Sequence, residues 1–526
     1  MRLILLLFLP LFSFWLMFHT FSYDYSRNQI LIAAKAASDF GSHLPHIRSF
    51  TFGSNWPPQF PLFPGERTRY HFLFYAVTGF LEKIGFRIDY ALNLPSSLGF
   101  LSLVLLICIF TSKMFSSVSA GLVSVFLFLF NGSFSFIDFL SKHQLSLHTI
   151  QDVIGNTAFP SFGPWNGSLI TAFWNLNIYT NQRHLGLSFA ISLLIIYVLY
   201  TRSKKLIFLV GFLLGSLLLV NQAAFIITAI FLGWFFLIQP GIRTSIGISL
   251  IGILPWVFLA LTTMNISPVI QFRPGYLIPG PLTPVSFIRF WVYNLGFYII
   301  LIPLGLILSP PKAKYLGVPL LALFILPNLW QFSADMINNH KLFNFFLILG
   351  VMFSANAVIK ISRIKHVGML LAPLLTLALT LGGIIDFFPV KNDYFVRIDD
   401  VKANPDAAYF SLTPKNSVVL NSFWFYHPAS IAGRSIYNGY SYFTWSYGYN
   451  QTAREESTRK IYASLSKSEA CFRLKNAGIT YVELSLSYER FLYPNWQLWQ
   501  TQFTPVYQNP QTGLSVYSVD QNCPSS

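Results

Sequence analysis

The sequence has few charged residues, and acidic residues are the scarcest of them. Its 526 residues include 19 Asp and Glu against 35 Lys and Arg, and charged residues make up 10% of the chain. A soluble domain normally carries far more charge on its surface. The composition therefore excludes an ordinary soluble enzyme.

Cysteine is scarcer still, with three residues, and several catalytic motifs are missing. Cys108, Cys471 and Cys523 have no metal-ligand spacing and form no disulfide framework. The sequence leaves open whether Cys471 and Cys523 form a disulfide bridge. The chain also lacks a Gly-rich phosphate loop, a nucleophile elbow and a zinc motif, which excludes the enzyme classes that depend on them.

Apolar and aromatic residues are abundant instead. Hydrophobic residues make up 54% of the chain and aromatic residues 17%, and the mean hydropathy is +0.53. Several apolar runs reach the length of about 18 residues that a bilayer crossing requires. We predict a polytopic α-helical membrane protein. Its net charge of +16 then indicates basic cytoplasmic loops and a phosphate-bearing substrate, and no nucleic acid is expected as a partner.

The apolar runs predict about eleven transmembrane helices. The N-terminal run is too long for a signal peptide and lacks a cleavage site, so it is interpreted as the first span, with Arg2 inside. The segment 70–86 is too short and too charged to cross, and it predicts a re-entrant or interfacial helix. The other candidate spans are 92–112, 117–136, 184–201, 206–221, 223–238, 244–263, 289–309, 315–333, 342–361 and 366–388.

Basic loops predict the orientation of the chain. Lys and Arg are concentrated at Arg202–Lys205, Arg243, Lys312–Lys314 and Lys360–Lys365. The positive-inside rule places these loops in the cytoplasm, and they agree with each other only if 70–86 does not cross. The outer side then carries the loops 22–69, 137–183, 264–288 and 334–341 and everything after Pro389. We expect a plasma (inner) membrane protein with a cytoplasmic N-terminus.

Two domains are predicted, with the boundary after the last span. Residues 1–389 would form a transmembrane catalytic domain with a long first outer loop at 22–69. Residues 390–526 would form a small extracytoplasmic α/β domain. Its predicted elements are strands at 416–420, 480–484, 503–508 and 514–519 and helices at 455–465 and 467–477.

The first outer loop concentrates the polar residues of the membrane domain. From Arg27 to His46 apolar residues recur at steps of three or four, which predicts a surface helix with one wet face. Asp39 and His43 are four residues apart and would share a face of that helix. A run of prolines then returns the chain to the membrane.

The remaining outer segments supply further polar and aromatic residues. Arg183 and His184 stand where the chain re-enters the membrane, and Asn339, His340 and Lys341 form a dense polar group before a span. Between the predicted strands of the C-terminal domain, the segment HPASIAGRSIYNGYSYFTWSYGYN carries Arg434 and many aromatic residues. Its rings suit either stacking on sugars or packing against the membrane domain.

This chemistry points to sugar transfer from a lipid phosphate, and the sequence resembles a family that performs it. A carboxylate acts as a general base towards an acceptor hydroxyl, and nearby cations neutralise a leaving phosphate. The chain resembles the GT-C superfamily of integral-membrane glycosyltransferases, in particular the dolichyl-phosphate-mannose–protein mannosyltransferase group and its bacterial relatives. The resemblance is carried by SDFGSH around Asp39, PPQFPLFPGERTRYHFLFY, QRHLGLSFA, NNHKLFNFF and the outer C-terminal domain.

The resemblance implies an inverting transfer with a first-loop acid as base. Asp39 takes that role, and Asp24 is the reserve candidate. The expected partners are a polyprenyl-phosphate-linked sugar donor, membrane lipids, and a glycan, lipid or protein acceptor. The substrate-binding candidates are His43, Arg48, Arg67, Arg69, Arg183, His184, Asn339, His340, Lys341 and Arg434.

The predicted cofactor and the predicted function are each left with an alternative. The loop has no adjacent Asp-Glu or Asp-x-Asp pair, so no metal ligands are assigned, while a divalent metal stays open as a cofactor. One alternative function is a polymerase or ligase of lipid-linked polysaccharide. The other is a non-enzymatic transporter or scaffold.

Overall fold

The computed structural model describes residues 2–143, 145–203, 205–265, 269–423, 425–485 and 492–524. Lys204, one of the cations in the predicted cytoplasmic loop Arg202–Lys205, lies outside the described residues.

The apolar runs form helices long enough to cross a membrane. Within the described ranges, six helices pass by length and composition, or up to seven if a pair bent by 82° is one span. Four shorter apolar helices accompany them, so eleven spans remain a prediction. The chain is an integral membrane protein. The six are Ile88–Phe115, His184–Thr201, Pro240–Thr263, Pro311–Leu329, Met336–Ser362 and Val367–Lys391, the bent pair is Pro284–Leu295 with Tyr298–Ile307, and the shorter helices are Leu7–Thr20, Val118–Leu129, Leu209–Val220 and Gln222–Ile238.

The N-terminal part alternates between membrane helices and the first outer loop. Its elements are α1 (Arg2–Thr20), β1 (Phe21–Asp24), β2 (Gln29–Ala33), α2 (Ala34–Thr51), β3 (Gln59–Phe60), β4 (Phe63–Arg67), α3 (Leu73–Lys83), α4 (Ile88–Phe115), α5 (Val118–Leu129), α6 (Ser135–Leu140), α7 (His148–Ile154) and α8 (Asn177–Asn181). At 11 residues, α3 is about 16 Å long, roughly half the hydrocarbon thickness of a bilayer.

The middle of the chain is almost entirely helical. Its elements are α9 (His184–Thr201), α10 (Leu209–Val220), α11 (Gln222–Ile238), α12 (Arg243–Ser249), α13 (Leu254–Thr263), β5 (Gln271–Phe272), α14 (Pro284–Leu295), α15 (Tyr298–Ile307), α16 (Pro311–Lys314), α17 (Gly317–Leu329), β6 (Trp330–Gln331), α18 (His340–Ser362) and α19 (Val367–Lys391). Every residue of α18 from His340 to Val358 is buried, so α18 is the central helix of the bundle.

The structure of the first outer loop differs from the predicted surface helix. Residues Gln29–Ala33 form a strand, because they pair on one side with β1 and on the other with a strand far along the chain. The helix α2 begins only at Ala34 and does not have a wet face over its second half. Every residue from Phe40 to Ser49 is buried, since α3 and the C-terminal segment pack against the helix.

The chain after α19 first returns to this loop and then forms a mixed sheet. The elements are β7 (Phe395–Asp399), α20 (Pro405–Leu412), β8 (Val418–Leu420), α21 (Pro428–Ile431), β9 (Ser435–Ile436), α22 (Ser441–Ser446), α23 (Gln451–Tyr462), α24 (Lys467–Asn476), β10 (Tyr481–Leu484), α25 (Trp496–Gln502), β11 (Tyr507–Asn509), β12 (Leu514–Ser518) and α26 (Val519–Asn522). The sheet has five strands in the order β11-β12-β10-β8-β9, with β8 parallel to both β9 and β10.

The C-terminal segment is attached to the membrane domain through the first outer loop. Strand β7 completes a three-stranded sheet with β1 and β2. Lys35 pairs with Asp393 at 2.9 Å, and Arg48 pairs with Asp400 at 3.0 Å. A disulfide between Cys471 and Cys523 joins α24 to the end of the chain. The strand pairing and the two ion pairs join the C-terminal segment to the first outer loop and α2.

Candidate active site

Two neighbouring cavities lie where the first outer loop, the bundle and α22 meet. We call the larger one, of ≈ 430 Å³, the carboxylate cavity and the smaller one, of ≈ 310 Å³, the basic cavity. Five residues line both and so form their common wall. They are Tyr70, Asn338, Lys341, Ser446 and Tyr447.

Asp39 supplies the acid of the carboxylate cavity. It lies on α2 and lines the cavity together with His43, one helical turn further on. Its carboxylate makes no hydrogen bond or ion pair to the part of the chain that the structure describes. Burial raises the pKa of Asp39 to about 6, against the opposing charge of Lys341. A partly exposed carboxylate with a raised pKa is suited to general-base chemistry near neutral pH.

His43 lies deeper than Asp39 and is held neutral. Its ring packs near Tyr75 at 5.1 Å between centroids and edge-on to His184 at 6.3 Å. Burial, helped by the charges of His46, Arg183 and Lys341, lowers the pKa of His43 to about 3. The Nδ1 atom of His43 has no hydrogen-bond partner among the described residues.

Lys341 connects the two cavities. Its Nζ donates to Asn338 Oδ1 at 3.2 Å, and the residue is 6% exposed. It lies in the first turn of α18, where the helix dipole disfavours a cation. A buried cation in that position is stabilised by negative charge, and the carboxylate of Asp39 supplies part of that charge.

Two neighbours of Lys341 at the start of α18 are fixed by their own partners. His340 stacks on Phe173 with 4.4 Å between centroids and contacts Asn344 Oδ1 through Nδ1 at 2.8 Å, and it lines the carboxylate cavity. Asn339 lines the basic cavity and donates to the carbonyls of Pro327 and Trp330 at 2.9 and 2.8 Å. Asn339 therefore positions the start of α18.

Arg69 is the second cation of the basic cavity. Its guanidinium donates to the Gly448 carbonyl at 2.6 Å and to Glu66 Oε2 at 3.0 Å. It also lies 5.1 Å from the centre of the Tyr449 ring. These contacts hold Arg69 at the cavity wall.

Three predicted residues of the first loop line neither cavity. Asp24 lies at the exposed β1–β2 turn, where its carboxylate accepts from the backbone N–H groups of Ser26 and Arg27. Arg48 is buried between Glu82 and Asp400. Arg67 is exposed and donates to the Leu261 carbonyl at 3.2 Å. Each of the three is held by partners away from the cavities, and Asp24 lies outside the site that Asp39 lines.

Three further predicted residues, Arg183, His184 and Arg434, are buried away from the cavity surfaces. Arg183 donates to the Met17 carbonyl, to Thr20 Oγ1 at 2.8 Å and to Asn93 Oδ1 at 3.1 Å. His184 contacts His71 at 3.0 Å and Tyr75 at 3.2 Å. Arg434 donates to the carbonyls of Phe52, Ser411, Thr413 and Ala432. Each holds separate segments together.

Sequence reasoning missed the tyrosines of the common wall. Tyr70 and Tyr447 stack with 4.0 Å between ring centroids and 15° between planes, which separates the two cavities. Tyr442 of α22 donates to Asp335 Oδ2 at 2.8 Å and so joins the C-terminal segment to the loop before α18. The aromatic segment around Arg434 was the available signal, but the residues singled out there did not include Tyr442 and Tyr447.

Among the residues that the structure describes, no three His, Cys, Asp or Glu side chains are grouped to hold a metal ion.

Comparison with known proteins gives likeness in structure only. No protein-family model matches the sequence, and no curated protein matches it. ArnT from Cupriavidus metallidurans bound to undecaprenyl phosphate is similar with a TM-score of 0.53 at 10% identity, covering 98% of this chain and 98% of that chain. Its apo state gives 0.52 at 10% identity, again over 98% of both chains. The apo oligosaccharyltransferase of Archaeoglobus fulgidus gives 0.44 at 12% identity, covering 92% of this chain and 69% of that chain.

The fold of this chain is therefore that of ArnT over nearly its whole length. The resemblance to GT-C membrane glycosyltransferases that the sequence indicates is confirmed at the level of the fold.

Proposed function

We propose that this chain is a membrane glycosyltransferase that moves a sugar from a polyprenyl-phosphate donor to an acceptor at the outer face of the membrane. The observation that carries the proposal is the pair of adjoining cavities. One holds an unpartnered carboxylate, the other holds cations, and Lys341 borders both. A transferase needs a base for the acceptor and positive charge for the leaving phosphate, and the two cavities provide them side by side.

The basic cavity suits the donor. Lys341 and Arg69 offer charge-assisted hydrogen bonds to a phosphate. Leu218, Phe225 and Ile226 of α10 and α11 line the same cavity and suit the first isoprene units of a lipid tail. The similarity to an ArnT structure that contains undecaprenyl phosphate supports a polyprenyl phosphate as the carrier.

Asp39 is proposed as the base of a single displacement. Its carboxylate accepts the proton of the acceptor hydroxyl while the acceptor oxygen bonds to the anomeric carbon. The bond from that carbon to the phosphate oxygen breaks, and the polyprenyl phosphate leaves with the electron pair, so the anomeric centre inverts. Lys341 and Arg69 stabilise the charge that develops on the phosphate.

The outer location of this chemistry is supported by the basic groups at the end of α9 that is far from the cavities. The helix begins near the cavities and ends at Thr201, about 27 Å away for 18 residues. At that far end Arg202 donates to Gln239 at 3.0 Å, and Lys312 lies 4.6 Å from the Tyr200 ring centre. Basic groups from separate loops thus meet opposite the cavities, as expected of a cytoplasmic face. The Cys471–Cys523 disulfide suits an oxidising outer compartment.

Replacing Asp39 tests the proposal. Asp39→Asn keeps the shape of the side chain but removes the base, so sugar transfer from polyprenyl-phosphate hexoses should fall on the order of 10²–10⁴-fold. The measurement is single-turnover loss of labelled donor by the purified protein in lipid nanodiscs.

Asp24→Asn is the matched comparison, because it makes the same chemical change at the exposed turn. Asp24→Asn should keep the rate of the unmodified protein. A large loss in Asp24→Asn with normal turnover in Asp39→Asn would transfer the role to the reserve candidate. Normal turnover in both variants would refute a first-loop acid as base.

A further inference from the structure

The carboxylate cavity has aromatic walls contributed by two separate parts of the chain. Phe162 and Trp165 come from the loop 137–183, with 5.2 Å between their ring centroids. Tyr440 and Tyr442 come from the C-terminal segment, at the start of α22. Trp165 is 55% exposed and Tyr442 is 38% exposed. These two exposed rings, which line one cavity from separate parts of the chain, are available to a ligand.

Unpartnered hydrogen-bonding atoms accompany the aromatic residues. In the described parts of the chain, Gln182 Oε1 and His43 Nδ1 are buried without a hydrogen-bond partner, and the partly exposed carboxylate of Asp39 makes no hydrogen bond or ion pair there. An amide oxygen and an ionised carboxylate only accept hydrogen bonds. Buried acceptors without partners cost free energy, so a ligand that brings several donors is favoured.

We infer that the acceptor is a glycan whose sugar rings pack against Trp165 and Tyr442, an inference that rests on the proposed function. A sugar presents apolar ring faces to aromatic side chains and many hydroxyl donors to the unpartnered acceptors. One of those hydroxyl groups, next to Asp39, is the nucleophile.

The two other acceptor classes fit the cavity less well. The apolar residues of α10 and α11 line the basic cavity, and none of them is among the described residues that line the carboxylate cavity. A lipid acceptor would have no such surface there. None of the described lining residues belongs to a β-strand, so the cavity has no sheet edge on which to extend a peptide.

Binding of defined glycans tests the inference. The full-length protein in nanodiscs is titrated with fluorescently labelled gluco-, manno-, galacto- and N-acetylglucosamine oligosaccharides and, in parallel, with Ser- and Thr-rich peptides. At least one oligosaccharide should bind saturably and the peptides should not. Trp165→Ala should weaken that binding at least tenfold, while Trp165→Phe should retain most of it because the ring face remains.

Trp56→Ala is the matched control, because Trp56 is 63% exposed and lines neither cavity. Glycan affinity should be unchanged in this variant. Binding of the peptides alone, failure of every glycan, or equal effects of Trp165→Ala and Trp56→Ala would each overturn the inference. If glycans fail while undecaprenyl phosphate still binds, only this inference fails. If undecaprenyl phosphate also fails to bind, the proposed function fails with it.

Discussion

Asp39 owes its chemistry to a position between water and the buried interior. The carboxylate reaches the cavity, yet the surrounding α2, α18 and α22 remove enough water to raise its pKa to about 6. The proton is therefore bound more tightly in the folded protein than in the unfolded chain. Between the ordinary aspartate pKa of 3.8 and this raised value, ionisation of Asp39 lowers stability as the pH rises. The proposed base role of Asp39 would account for a position that carries this cost.

The raised pKa predicts an acidic limb in the rate profile. A base must be ionised, so kcat/KM should rise about tenfold per pH unit below a midpoint near 6 and level off above it. The measurement is donor turnover from pH 4.5 to 8 in nanodiscs. In Asp39→Asn the residual rate should lack this limb. A limb with the same midpoint in Asp39→Asn would assign the titration to another group.

Arg183 and Lys341 show how far the sequence predicts the role of a single residue. Both are cations at the start of a helix, and both were among the predicted substrate-binding residues. Lys341 reaches the cavities, whereas Arg183 is fully bonded to α1 and α4. Those partners lie between 90 and 166 residues away in the sequence. No local pattern distinguishes the two cations, because the difference lies in tertiary contacts.

At the scale of elements, α2 is held in place by a buried charge cluster. Arg48 is 1% exposed and lies between Glu82 of α3 at 3.3 Å and Asp400 after β7 at 3.0 Å. The cluster joins three segments that carry or cover the site. Asp39 lies nine positions earlier on the same helix, so its position depends on these contacts.

Removing the cation should destabilise the fold. Arg48→Met leaves the largely buried carboxylates of Glu82 and Asp400 without their cation, and loss of one member of a buried pair costs about 3–5 kcal/mol. The free energy of unfolding, measured by SDS titration in mixed micelles, should fall by that order.

Lys460→Met is the matched control in α23. Its partner Glu456 lies at 2.5 Å, but both side chains are more than half exposed, so solvent screens the pair and its loss should change the free energy of unfolding far less. Equal destabilisation by the two substitutions would contradict a structural role for the Arg48 cluster.

The predicted helix over Arg27–His46 was right from Ala34 onward and wrong before it. The apolar periodicity of three and four continues back to Ile30, so local sequence favours a helix there. Pairing of β2 with β7 overrides it, because the two strands bury Ile30 and Ile32 between sheet and bundle. Strand pairing across such a distance cannot be inferred from a single stretch.

At the scale of the whole molecule, the cavities and the basic loops lie at opposite ends of the bundle. The predicted topology requires that the first loop and the C-terminal segment share one compartment. The sheet of β1, β2 and β7 requires the same, because its strands come from both.

Cysteine labelling tests this sidedness. With Cys108 replaced by serine, we expect Ser54→Cys and Thr452→Cys to react with an impermeant maleimide from outside. Lys365→Cys, in an exposed turn between α18 and α19, should react only after the membrane is opened. Labelling of Ser54→Cys and Thr452→Cys from different sides would contradict both the topology and the shared site.

Sequence reasoning was most successful for features that have a strong signal in the local sequence. Hydropathy identified an integral membrane protein, and strands were predicted where β8, β10 and β12 are observed. It did not anticipate that the C-terminal segment passes first through the sheet of the outer loop. Nor did it anticipate the stacked tyrosines between the cavities, since each ring comes from a different end of the chain.

The pairing of β2 with β7 also dictates when the first outer loop is completed during synthesis. Gln29 bonds to Asp399, 370 residues later. Ribosomes add about 5–20 residues per second, so the first outer loop waits about 20–70 s before its third strand has been synthesised. During that interval Arg48 lacks Asp400 and Lys35 lacks Asp393. A nascent chain interrupted before residue 395 would insert its helices but leave the sheet next to α2 without β7, so the cavity that Asp39 lines is completed only after this strand has been translated.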